Sequence, residues 1–139
     1  MLTLNDVTEG VQKTPILALV YGPPGIGKTT LAASAPGALY LPTEDGTNQL
    51  NVRRLRRPTT LKEVIGVLRQ LADQKHTYQS LVIDTLTGLQ TLVYAETCAL
   101  GQKKHIEDFG YGKGYAYSLA QWEQLVVELD RVRARGLHI

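Results

Sequence analysis

The feature that most constrains this chain is the run GPPGIGKT at residues 22–29. It fits the pattern G-x-x-x-x-G-K-[ST] at every fixed position. Residues 15–21 (PILALVY) precede it and are apolar, which predicts a short strand buried on both faces of a sheet. Residues 28–34 (KTTLAAS) are typical of a short helix that closes at Pro36 and Gly37. This order of strand, loop and helix is the context that the pattern requires to bind phosphate.

Each part of the run has a chemical reason. Glycines let the backbone curl so that successive N–H groups face phosphates, and Lys28 adds a positive charge over the β and γ phosphates. The Thr29 hydroxyl is then placed to bind Mg²⁺, so we expect ATP and Mg²⁺ as ligands. A glycine-rich turn that matches by chance is the alternative, and the flanking strand and helix disfavour it. The predicted nucleotide-binding residues are Gly22, Pro23, Pro24, Gly25, Ile26, Gly27, Lys28, Thr29 and Thr30.

Strand and helix signals alternate along the rest of the chain. Apolar strands are predicted at residues 38–41 and 80–84, and Thr60 and Glu63 have capping-box spacing at a helix start. Further helices are predicted at residues 87–100 and from residue 115 onward. The last has one apolar stripe, formed by Tyr115, Leu119, Trp122, Leu125, Val126, Leu129 and Val132. The fold class is therefore α/β, a P-loop NTPase core whose parallel sheet carries helices on both faces, in one domain over residues 1–139.

Two carboxylates follow predicted strands. Asp84 ends the strand SLVID, where it would join Thr29 in the magnesium shell, although it could instead cap the next helix. Many ATPases place a glutamate directly after this aspartate to activate water, but here the next residue is Thr85. Glu44 is the leading candidate base, because it follows the second strand at the carboxyl edge of the sheet. Its alternative is a turn residue before Gly46.

Composition and charge limit the partners and the cellular compartment that we expect for the chain. The net charge of +2 is too small to indicate a nucleic-acid binder by itself. The lone cysteine, Cys98, fits a reducing cytoplasm, and the acidic Asp6 and Glu9 argue against a signal peptide. Apolar runs are far shorter than the ~20 residues that cross a bilayer. The three histidines show no ligand spacing, so no metal beyond magnesium is expected. We expect a soluble protein of the cytoplasm.

Four segments in order resemble those of the RecA-type recombinase core, and most closely those of the RecA-like ATPases of bacteriophages that act as single-strand annealing proteins. They are YGPPGIGKTTLAASAP (21–36), LYLPTEDG (39–46), LVIDTLTGL (81–89) and IEDFGYGKGY (106–115). The resemblance implies DNA-dependent ATP hydrolysis in phage or prophage recombination within a bacterial host cell. It also makes Glu44 the catalytic carboxylate beside Lys28. Pro42 departs from the pattern, because relatives usually carry an aspartate there.

The resemblance has further implications for partners and completeness. It implies single-stranded DNA as a partner, assembly into rings or filaments, and contact with a single-strand DNA-binding protein. In such sheets a fourth strand lies between the P-loop strand and the Asp84 strand, and Leu137, His138 and Ile139 look like its beginning. The core is therefore expected to be incomplete at its C-terminus, ending at the start of a central strand. We expect weak nucleotide binding or poor folding of this 139-residue form alone.

Residues 102–114 correspond, by the same resemblance, to the first DNA-binding loop. Cations and aromatic rings alternate there with glycines, as a single-strand site requires, and base stacking is sequence-tolerant. The predicted DNA contacts are Lys103, Lys104, Phe109, Tyr111 and Lys113, with Tyr115 as a further ring. The alternative is a surface loop with Phe109 and Tyr115 in the core. A separate basic cluster comprises Arg53, Arg54, Arg56 and Arg57. It could bind nucleic-acid phosphates or the nucleotide of a neighbouring subunit. The alternative is a basic edge exposed to solvent.

Two other functions share the same motifs. A small-molecule P-loop kinase would also carry the phosphate loop and Asp84, but its arginine-bearing lid and substrate pocket cannot be identified in the sequence. A truncated remnant that binds ATP without catalysis is the non-enzymatic alternative.

Overall fold

A parallel β-sheet of three strands forms the centre of the protein, in a computed structural model that describes residues 3–45 and 50–139. The strands are β1 (Ala38–Pro42), β2 (Arg53–Arg54) and β3 (Ser80–Asp84), in the order β2-β1-β3. β1 and β3 pair in register from Ala38 opposite Ser80 to Pro42 opposite Asp84. The strands predicted at residues 38–41 and 80–84, and a parallel α/β arrangement, are confirmed.

Five α-helices are assigned in the described part of the chain: α1 (Lys28–Ala33), α2 (Leu61–Asp73), α3 (Leu86–Leu100), α4 (Lys113–Tyr117) and α5 (Leu119–Ala134). Thr60 caps α2 as predicted, since its hydroxyl accepts from the Glu63 N–H at 3.2 Å. The Glu63 carboxylate accepts from the Thr59 N–H at 2.7 Å and from Arg56. α3 ends before Gly101, also as predicted.

The hydrophobic core lies on one face of the sheet. Side chains alternate between faces along a strand, so Leu39, Leu41 and Leu81 point to the same side. Those leucines pack with the apolar stripes of α2, α3 and α5. Tyr40 points to the other face, where its hydroxyl donates to the Thr29 carbonyl at the start of α1. The P-loop and the main core therefore lie on opposite faces of the sheet.

A buried carboxylate joins α2 to α5. Glu128 is only 5% exposed and accepts hydrogen bonds from Arg69 on α2 and Arg131 on its own helix, both at 2.7 Å. Arg131 also donates to Asp73 at 2.7 Å. The hydrogen bond from Arg69 is the largest cause that lowers the pKa of Glu128. This network was not predicted, because its members are 59 residues apart in the chain.

The predicted strand at residues 15–21 is wrong as an assignment. The segment is extended, but among the described residues its only backbone–backbone hydrogen bonds join it to Ile139: the Ala18 N–H donates to the Ile139 carbonyl and the Ile139 N–H to the Ile16 carbonyl, both at 2.8 Å. The Ile16 N–H also donates to the His138 Nδ1 at 3.0 Å. Two backbone–backbone hydrogen bonds do not make a ladder, and the apolar side chains are largely exposed, Leu19 by 67%. His138 forms a parallel bridge with Ser80. The last residues thus lie between β3 and residues 15–21, the place predicted for a fourth strand.

The last predicted helix is divided at Ser118 into α4 and α5. Leu125 and Val132 of its stripe are buried, but Leu119 and Val126 are 58% and 48% exposed. Successive residues on a helix lie ~100° apart, so the face that brings Leu125 and Glu128 against α2 turns Val126 away. The predicted apolar stripe therefore wrongly included Leu119 and Val126.

Candidate nucleotide site

The loop at residues 22–29 adopts a curled backbone before α1. Gly25 and Gly27 have φ of +80° and +95°, a left-handed conformation that other L-residues rarely adopt. A Cβ at either position would meet nothing within 4 Å, so backbone conformation rather than space requires glycine there. Pro23, Pro24, Ile26 and Thr30 are exposed around them. The loop is open to a ligand.

Lys28 spans this loop. Its ammonium donates to the Gly22 carbonyl at 2.7 Å and to the Pro23 carbonyl at 3.0 Å. The charge therefore lies over the curl of the loop. Phosphate oxygens carry more negative charge than carbonyls and would compete for the same donor.

Tyr40 connects the loop to the sheet. It is fully buried, and its hydroxyl donates to the Thr29 carbonyl at 3.0 Å. Burial and, second, the negative charge of Asp84 raise the pKa of Tyr40. Tyr40 pairs with Val82, two residues before Asp84, so both side chains point to the same face. The backbone of Thr29 and the side chain of Asp84 thus lie on the same face of the sheet.

A pair of threonines ties the ends of β1 and β3 together. The Thr43 hydroxyl donates to the Thr85 carbonyl at 2.5 Å and accepts from the Thr85 N–H at 2.7 Å. The Thr43 N–H also donates to the Asp84 carbonyl at 2.7 Å. Glu44 directly follows Thr43 and is partly buried. Glu44 and Asp84 therefore stand at the same carboxyl edge of the sheet, and Gly46 lies outside the described residues.

Thr85 serves as the N-cap of α3. Its hydroxyl accepts from the Gly88 N–H at 3.1 Å. The cap after β3 is thus Thr85 rather than Asp84, which leaves the Asp84 carboxylate available to a ligand. Gly88 lies against the β1 end so closely that a Cβ would be 2.6 Å from the Thr43 Oγ1 and 2.8 Å from the Glu44 Cγ.

Sequence reasoning missed Tyr40, Thr43 and Gly88. A tyrosine inside the otherwise apolar run ALYLP was the available signal for the first. Nothing local distinguishes Thr43 or Gly88, because their roles depend on contacts between β1 and α3.

The oxygen donors at this edge fit Mg²⁺. That ion prefers hard oxygen ligands and is commonly held by one or two carboxylates together with substrate phosphates. Thr29 and Asp84 supply a hydroxyl and one carboxylate. Within residues 3–45 and 50–139 no cluster of three or more His, Cys, Asp or Glu side chains could hold a metal by itself.

The loop predicted to contact DNA is folded upon itself. It contains a short 3₁₀ helix (Ile106–Phe109), and Phe109 packs so closely that a Cβ at Gly101 would lie 2.4 Å from its ring. The Phe109 ring also meets Tyr117 edge-on, with centroids 5.4 Å apart. Tyr115 is 44% exposed and meets Tyr94 edge-on at 5.6 Å. Phe109 is thus partly buried within its own loop, while Tyr115 stays exposed.

The remaining predicted DNA contacts face solvent. Tyr111 is fully exposed and has a φ of +48°, between two glycines that also have positive φ. Lys103, Lys104 and Lys113 are exposed as well.

The basic cluster after β1 is largely engaged within the chain. Arg54 donates to the Leu50 carbonyl, Arg56 pairs with Glu63, and Arg57 pairs with Asp45 at 3.1 Å. Arg53 is exposed on the edge strand β2. These contacts favour a structural role for most of the cluster.

No helix in the described ranges is long and apolar enough to cross a membrane.

Comparison with known proteins gives one match. A family model described as an AAA domain matches residues 14–139, most of the chain. Neither the curated proteins nor the solved structures yield a significant match.

Proposed function

The chain belongs to the AAA domain family, a group of P-loop NTPase-type domains, and from that premise we propose that it binds and hydrolyses ATP in response to single-stranded DNA. The observation that carries the ATPase proposal is the junction at the carboxyl edge of β1 and β3. There the Tyr40 hydroxyl binds the Thr29 carbonyl on the face of the sheet that Asp84 shares, and the Thr43–Thr85 hydrogen bonds join the strand ends that carry Glu44 and Asp84. These contacts support a single site in which the phosphate-binding, metal-binding and base residues act together.

Each residue has a distinct role in this proposal. The backbone N–H groups of residues 22–29 and the Lys28 ammonium bind the phosphates. Thr29 and Asp84 hold Mg²⁺, which neutralises phosphate charge when bound. Glu44 orients the attacking water and accepts its proton, since Thr85 has no basic group at neutral pH. The cap that Thr85 forms on α3 explains why the base comes from the neighbouring strand.

The DNA partner rests on residues 102–114. Lys103, Lys104 and Lys113 offer exposed charge to a phosphate backbone, and the exposed Tyr111 ring offers a stacking surface worth ~1–3 kcal/mol per base. Together with the resemblance to RecA-like phage ATPases, this supports a role in phage recombination by single-strand annealing. Rings or filaments of this chain, and a single-strand DNA-binding protein as a partner, are parts of the same proposal.

The test is ATP hydrolysis by the chain with and without single-stranded DNA. We expect DNA to raise the rate, Lys28→Ala to abolish hydrolysis, and Lys75→Ala, which removes an exposed lysine after α2, to behave as the wild type. Tyr111→Ala should weaken the stimulation by DNA while keeping the basal rate.

The outcomes separate the parts of the proposal. Hydrolysis that DNA does not stimulate, with no DNA binding, would overturn the DNA role alone. If the wild type does not hydrolyse ATP, or if Lys28→Ala hydrolyses it at the wild-type rate, the proposed ATPase activity is overturned. Lys28-dependent phosphoryl transfer to small acceptors without DNA would instead identify a kinase.

A further inference from the structure

Tyr40 holds the phosphate loop to the sheet through its hydroxyl. In the described part of the chain, its bond to the Thr29 carbonyl is the one side-chain hydrogen bond between residues 22–33 and the three strands. The helix that follows the loop, α1, has six residues and none of them is buried. The position of Thr29 above the sheet therefore depends strongly on this contact.

We propose that Tyr40 is a positioning residue for the metal-binding half of the nucleotide site, fixing Thr29 relative to Asp84 so that both can hold the same Mg²⁺. This rests on the proposed function and deepens it, because it separates the residues that bind phosphate from the one that sets metal affinity.

The chemistry of the contact suits a fixed anchor. The ring is 0% exposed, so its position is set by packing on the sheet face rather than by solvent. The hydroxyl donates to the Thr29 carbonyl at 3.0 Å, so a donor fixed on the sheet binds the backbone of the residue that would hold Mg²⁺. Asp84 lies on the same face of the sheet as Tyr40, so fixing that carbonyl limits how far the Thr29 backbone can move relative to the strand that carries Asp84.

Phosphate binding by the loop does not depend on the hydrogen bond between Tyr40 and Thr29. Lys28 bonds the carbonyls of Gly22 and Pro23 within the loop itself. Removing the Tyr40 hydroxyl should therefore change the requirement for Mg²⁺ more than the affinity for the nucleotide alone. A residue that merely stabilised the fold would weaken both together.

The experiment compares the wild type with Tyr40→Phe, which keeps the ring and removes only the donor. Binding of a fluorescent ATP analogue is titrated in EDTA and then at fixed nucleotide with increasing Mg²⁺. We expect the metal-free affinity to stay within about twofold, and the half-saturating Mg²⁺ concentration to rise by roughly threefold to tenfold, the range that one hydrogen bond carries.

Tyr94→Phe is the matched control, because it removes a hydroxyl that accepts from Gln90 on the surface of α3 at 2.8 Å, and it should change neither value. An unchanged Mg²⁺ requirement in Tyr40→Phe would overturn the proposal, and so would an equal loss of affinity with and without metal. If the wild type binds no nucleotide at all, the proposed function itself fails, which is a distinct result. Should Tyr40→Phe not fold, Tyr40→Leu supplies the same comparison, because leucine fits within the buried space of the ring and carries no donor.

Discussion

Thr43 and Thr85 exchange two hydrogen bonds across the ends of β1 and β3, through the Thr43 hydroxyl and the backbone N–H and carbonyl of Thr85. One threonine precedes Glu44 and the other follows Asp84. The two carboxylates are therefore held at the same edge by a contact that uses neither of their side chains. Within residues 3–45 and 50–139 neither carboxylate has a side-chain hydrogen bond or ion pair.

Removing the Thr43 hydroxyl should loosen that edge. Thr43→Val keeps the shape of the side chain but leaves the Thr85 N–H without its acceptor, so we expect a loss of about 1–3 kcal/mol in the free energy of unfolding. Urea denaturation measures it. Thr91→Val is the control, since that exposed hydroxyl bonds the Thr87 carbonyl of its own helix at 3.3 Å, and it should change stability by less than about 0.5 kcal/mol. Equal effects of the two changes would contradict the prediction.

Replacement by alanine should lower the stability of the protein at Gly88 and raise it at Gly66. A Cβ at Gly88 would enter the space of Thr43 and Glu44, and we expect Gly88→Ala to cost about 1–3 kcal/mol and to slow ATP turnover. A Cβ at Gly66 on α2 meets nothing within 4 Å, so Gly66→Ala should stabilise the helix by about 0.5–1 kcal/mol. Thermal melts and steady-state hydrolysis test both. A neutral Gly88→Ala would show that α3 can move away from the β1 end freely.

Glu44→Gln should separate binding from turnover. The amide keeps the size of the side chain but cannot accept a proton, so we expect ATP binding within about twofold of the wild type and a hydrolysis rate lower by at least ~10²-fold. Asp45→Asn is the control, because Asp45 is an exposed neighbour that pairs with Arg57. Nucleotide binding and single-turnover hydrolysis are the measurements. Normal turnover in Glu44→Gln would assign the base elsewhere.

The Glu63 carboxylate should make stability depend on pH. The hydrogen bond from Arg56, followed by that from the Thr59 N–H, lowers the pKa of Glu63 from 4.5 to about 2. The unfolded chain therefore binds more protons between these values, and the contribution of Glu63 is complete above pH 4.5 and is lost as pH falls toward 2. The difference in unfolding free energy between the wild type and Glu63→Gln should shrink over that window.

Two further measurements check the origin of this dependence. Carbon-13 NMR of the carboxyl groups should give Glu63 a pKa near 2 in the wild type and a higher one in Arg56→Gln. A constant stability difference down to the lowest pH at which the protein folds would contradict the assignment.

Local patterns in the sequence located most of the elements. The phosphate loop, both long strands, the cap at Thr60 and the ends of α1 and α3 follow from residues adjacent in the chain, because glycine conformation, capping and side-chain period act over one or two turns. The roles of Glu44 and Asp84, and the DNA contacts, remain predictions. The folded loop around Phe109 could not be foreseen, since its packing depends on Gly101 and Gly114 together.

The sequence alone determined that a phosphate loop would meet a parallel sheet ending in carboxylates, since the motif and the apolar runs are local signals. Only the tertiary structure decided that residues 15–21 are extended without a ladder, and that α5 turns Val126 outward. It also decided that Tyr40 contacts the phosphate loop and that Thr43 contacts Thr85 and Gly88. The physical reason is distance along the chain: Thr43 and Thr85 are 42 residues apart, and whether two such groups meet depends on how every element between them packs.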